Sequence, residues 1–157
     1  MLILCICIPY LVFAQNKEEK GTKQDSLMTN EPKGFRNYKW FLERDKIPGL
    51  KENADGWYVK KGEDLFYEGF KAKEIKYLFT DNLLEHVNII YDTCNIPIRI
   101  YPVLSEKLAR KYGNGKIDER SNFWRGKSAC VKLEDIYNGD NCSYVDLNIY
   151  NPTIFIR

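Results

Sequence analysis

His86 is the only imidazole in the chain, so a histidine general base, or a Ser–His or Cys–His nucleophile, has to use it. It stands between Glu85 and Val87 in a run that alternates like a strand, with no nucleophile elbow nearby. That setting predicts a partly exposed strand residue on the solvent face. Arg125-Gly126-Lys127-Ser128 ends like a phosphate-binding loop. The full loop needs a glycine five residues before Gly126, where Ser121 stands, and a helix after it, where Val131 to Leu133 read as strand. No nucleotide site is expected, and no cofactor.

Carboxylates sit side by side at Glu63-Asp64, Asp118-Glu119 and Glu134-Asp135. Two carboxyl groups about 5 to 9.5 Å apart across a cleft can hydrolyse a glycoside. Neighbours on a strand point to opposite faces, however, so such a pair would have to come from dispersed positions. Trp40, Trp57 and Trp124 are the candidate binding residues, because tryptophan joins a large contact area to one donor. Core packing is the competing role for each. Of five cysteines, Cys94, Cys130 and Cys142 remain after the leader, enough for one disulfide among them and a leftover thiol. A hairpin turned near Asn138-Gly139 puts Cys142 opposite about Asp135 rather than Cys130, which leaves Cys94 as the alternative partner. With one histidine and no C-x-x-C after the leader, no metal site is expected.

The elements that must carry these residues are mostly strands. Ile75, Tyr77 and Phe79 alternate with polar neighbours, as do Val87, Ile89 and Tyr91, with Asp81-Asn82 between them. A loop over 81–83 sets Tyr77 opposite Val87 and Ile75 opposite Ile89, and register follows the buried face. Leu104, Leu108 and Tyr112 recur at spacing four and predict one helix from about Pro102, or from Pro97 with a kink, to a stop at Gly113. Residues 114–122 read as a polar loop. Phe123 to Tyr137 and Cys142 to Tyr150 then read as the arms of a second hairpin. The fold class is α+β: an antiparallel sheet built of hairpins with one main helix packed on one face.

The first fourteen residues are uncharged and apolar, ending Val12-Phe13-Ala14, and polar Gln15 to Lys20 follow. This is the pattern of a signal peptide over 1–14, cleaved before Gln15, and too short for a membrane span. Its missing basic n-region points to a start slightly upstream of Met1. Residues 15–33 are almost wholly polar and predict a flexible tether, and 34–157 a single domain. Lysine plus arginine total 24 against 22 acids, which leaves no concentrated positive charge for nucleic acid. The mature chain has no integral membrane span.

Gly34-Phe35-Arg36 with Lys39-Trp40, the run Ile75 to Asp81 with Leu84, Tyr112-Gly113, and Trp124 leading into Val131-Lys132-Leu133 together resemble a loose group of small bacterial periplasmic or secreted α+β proteins of no known activity. The resemblance implies location and fold class. The expectation is therefore an exported protein, periplasmic or extracellular, acting as a non-catalytic module. It would bind a protein or cell-envelope component, as an inhibitor or immunity-type protein in its narrower form. The alternative is a small envelope hydrolase using a dispersed carboxylate pair.

Overall fold

The computed structural model describes residues 27–94, 99–118, 120–137 and 143–152. The expected signal peptide, the first part of the expected tether, the expected turn near Asn138-Gly139 and Cys142 lie outside these residues.

Small hairpins open the chain: β1 (Gly34–Phe35) with β2 (Tyr38–Lys39), then β3 (Leu50–Glu52) with β4 (Tyr58–Lys60), then β5 (Phe66–Tyr67) with β6 (Phe70–Lys71). The long strands β7 (Glu74–Thr80) and β8 (Leu83–Asp92) follow, then α1 (Ile100–Tyr112), β9 (Lys116–Asp118), β10 (Ser121–Arg125), β11 (Cys130–Tyr137) and β12 (Ser143–Tyr150). Eight strands form one antiparallel sheet in the order β3-β4-β7-β8-β12-β11-β10-β9. The α+β architecture with a hairpin-built sheet and one main helix is as the periodicities indicated.

Alternation assigns the two faces. Ile75 and Tyr77, Val87, Ile89 and Tyr91, Val145, Leu147 and Ile149, and Val131 and Leu133 are all buried on one of them. Ile100, Leu104, Leu108 and Tyr112 of α1 complete this core together with Phe35, Trp40 and Trp124. Phe79, expected in the same cluster, is only partly buried against its edge. Pro102 sits inside the first turn of α1, where a missing N–H breaks no helical bond. Gly113 ends the helix at φ 88° with its N–H on Ala109 O.

Three local readings change. Tyr77 does face Val87 and Ile75 does face Ile89, but the route is a two-residue turn plus a bulge. Asp81 and Asn82 both take positive φ, 51° and 69°, as the tightest hairpin turns require. Thr80 pairs with Leu83 and Phe79 with Leu84; Leu78 then pairs with His86, so Glu85 is the extra residue. The stretch 114–122 is not all loop, since β9 and most of the start of β10 lie within it. Phe123 to Tyr137 is likewise two strands, reversed by a tight turn over 126–129 in which the Gly126 N–H donates to Ala129 O at 2.8 Å. A single strand of that length would be exceptional in a small sheet, and glycine supplies the break.

The last part of the segment expected as tether is docked. Met28 is buried, its N–H donates to Arg125 O at 2.9 Å, and the Thr29 N–H donates to Tyr112 O at 3.1 Å. Asn30 Nδ2 donates to Lys111 O at 2.9 Å. Residues 28–33 thus form a strap from the end of α1 to the β10–β11 turn.

Candidate functional site

The second face of the sheet carries no described helix, and its residues line up in rows across the strands. One row runs Lys51, Val59, Lys76, Asn88, Asn148, Lys132, Phe123, Lys116; the next runs Glu74, Ile90, Asp146, Glu134, Ser121, Asp118. A third holds Leu78, His86, Tyr150, Cys130 and Arg125. The rows arise because side chains at every second position share a face, and antiparallel register sets them shoulder to shoulder.

Where the rows cross β8 and β12, polar groups lock together. His86 Nε2 meets Asn148 Oδ1 at 2.8 Å. That oxygen only accepts, so the imidazole presents Nε2–H to it. Asn88 Nδ2 donates to Asn148 Oδ1 at 3.0 Å and to Asp146 Oδ1. Asn88 is only 8% exposed although no described helix packs on its face of the sheet. Trp57 stands edge-on to His86 with ring centroids 4.9 Å apart, and Tyr150 lies on the other side at 5.3 Å. Lys76 Nζ bonds Asp55 at 3.1 Å beside this patch.

Burial governs the protonation of these groups. It pulls the His86 imidazole down, against the hydrogen bond that its Nε2–H donates to Asn148 Oδ1. It pushes the Asp146 carboxyl up, opposed by the hydrogen bonds from Asn88 and Asn148 and aided by the neighbouring Glu134. It pushes the Tyr150 hydroxyl up to about 12.

The three tryptophans do not converge. Trp40 is buried with Nε1 on Pro32 O at 2.7 Å, and Trp124 is buried with Nε1 on Gly113 O at 2.9 Å. Both belong to the core, each with its single donor satisfied inside. Trp57 alone reaches the uncovered face. Cys94 is in a disulfide whose partner lies outside the described residues. Cys130 lies opposite Tyr150, is buried, and is a free thiol that burial holds above its ordinary pKa. No group of three metal-ligating side chains forms among the described residues, and no described helix is long and apolar enough to cross a membrane.

Sequence reading missed the rest of the patch. Asn88, Asp146 and Asn148 carry no motif and are separated from each other by up to sixty positions. The one available signal was alternation: His86 and Asn88 share a strand face, and so do Asp146, Asn148 and Tyr150. The same alternation brings Glu134 directly opposite Asp146, a carboxylate pair from distant positions.

A separate cavity of about 580 Å³ opens where α1 begins, lined by Arg99, Tyr101, Arg120, Asp135, Tyr137 and Ser143 among others. Asp135 and Val145 in its lining place it on the core side of the sheet, and Asp135 is the one carboxylate named there. Compared with protein-family models, with curated proteins and with solved structures, the chain matches none of them.

Proposed function

We propose that this protein is an exported, non-catalytic binding module that meets a protein or cell-envelope component through the uncovered face of its sheet, with Trp57 at the centre of contact. The inhibitor or immunity-type reading is the narrower form. One observation carries the proposal: a hydrogen-bonded patch of Trp57, His86, Asn88, Asn148 and Tyr150 lies on the sheet face on which no described helix packs. A row of lysines runs through it and a row of carboxylates lies beside it. An aromatic anchor held by an internally hydrogen-bonded base gives contact area at small entropic cost. The disulfide at Cys94 agrees with an oxidising compartment.

The hydrolase reading keeps one specific observation in its favour, the Glu134–Asp146 pair with its raised Asp146 carboxyl. Affinity capture from envelope extracts separates the two. Wild-type protein should retain a defined component that Trp57→Ala loses at unchanged thermal stability, while Asp146→Asn changes no turnover of envelope polymers. Equal capture by Trp57→Ala, or an envelope-polymer hydrolysis that Asp146→Asn abolishes, would overturn the proposal.

A further inference from the structure

The Gly126-Lys127-Ser128 turn failed as a nucleotide loop, yet its donors are gathered around an anion. The carboxylate of Glu31, nearly a hundred positions away, accepts from the Lys127 N–H at 2.7 Å through Oε1. Its Oε2 accepts from the Ser128 N–H at 2.7 Å and from the Ser128 hydroxyl at 2.7 Å. Consecutive backbone N–H groups aimed at one oxyanion form a nest, and charge-assisted bonds of this kind are roughly twice as strong as neutral ones. Gly126 leaves the room: a Cβ there would stand 2.5 Å from Glu31 Cδ and 2.7 Å from Cγ. The flanking residues, Arg125 and Lys127, are both basic.

We propose that the Gly126–Ser128 turn is an oxyanion-binding site and that Glu31 is its tethered, displaceable ligand, fastening the strap of residues 28–33. When Glu31 leaves, a carboxylate or phosphate group from outside takes the same three donors. The site is distinct from the Trp57 patch and stands whether or not that patch binds a partner.

The geometry explains why an external anion has to compete. A tethered ligand acts at an effective concentration of order mM or above, so free anions at lower concentration find the nest occupied. The remaining strap bonds, Met28 to Arg125 and Thr29 to Tyr112, do not involve the carboxylate. They hold the strap near the turn after the nest empties.

The test is an NMR titration of the full chain, following the Lys127 and Ser128 amides at constant ionic strength. Inorganic phosphate and acetate are the two probes. In Glu31→Ala, shown folded by near-ultraviolet circular dichroism, both amides should shift saturably at millimolar anion, and the tighter probe identifies the class of natural ligand. Wild type should show no saturable shift over the same range. Adding Ser128→Ala should weaken anion binding about tenfold, the loss of one hydrogen bond to a charged group. Should Glu31→Ala unfold, Glu31→Gln keeps the strap but not the charge, and phosphate should then displace the amide at lower concentration than in wild type. Folded Glu31→Ala with no saturable shift from either anion overturns the proposal. So do identical titrations of wild type and variant.

Discussion

Leu108→Ala probes the contact that holds the helix over the sheet. Leu108 is fully buried on the same stripe of α1 as Leu104 and Tyr112. The substitution removes three carbon atoms, about 2.4 kcal/mol at ~0.8 kcal/mol each. Leu108 belongs to a strand-anchored core that relaxes only partly, so a residual cavity adds roughly 1 kcal/mol. Better helix propensity of alanine returns only about 0.2 kcal/mol. The expected loss is about 3 kcal/mol, or a fall in Tm of roughly 6–12 °C for a domain of this size. Urea titration should show a lower midpoint at unchanged slope. Val103→Ala is the control on the same helix, since Val103 is 37% exposed, and should change stability by less than about 0.5 kcal/mol. A loss below about 1 kcal/mol at Leu108, or equal losses at both positions, would refute the packing of α1 on the sheet.

Glu85→Met should stabilise the protein by about 1–3 kcal/mol in the same titration, because Glu85 is 1% exposed and its Oε2 has no hydrogen-bond partner among the described residues; a destabilised variant would show that the carboxylate is compensated. The folded pKa of His86 lies below 6.5, the ordinary value, so its stabilising contribution is fully present above that pH and is lost as pH falls through the folded pKa. His86→Gln should flatten this part of a stability–pH profile measured between pH 8 and 4, leaving the fold intact; an unchanged slope would contradict the burial argument. Non-reducing peptide mapping should recover Cys94 in a disulfide and Cys130 as a thiol that alkylates only after unfolding. Rapid alkylation of Cys130 in the native protein would place it at the surface instead.

Periodicity alone determined which residues of β7, β8, β11 and β12 face inward, and which stripe of α1 meets them. Both are consequences of backbone geometry that repeats every two or 3.6 residues. The pairing of Tyr77 with Val87 was legible for the same reason, since a one-residue slip turns an apolar face to water. The mechanism of that register was not legible. A bulge at Glu85 depends on the neighbouring strands, and no residue type announces it. Trp40 and Trp124 looked the same as Trp57 in sequence, and only packing sorted two into the core and one onto the open face. The patch of His86, Asn88, Asp146 and Asn148, and the carboxylate of Glu31 seated in the Gly126–Ser128 turn, join positions far apart along the chain. Local spacing carries no information about such meetings; they exist only once strand order and the docking of the strap bring the positions together.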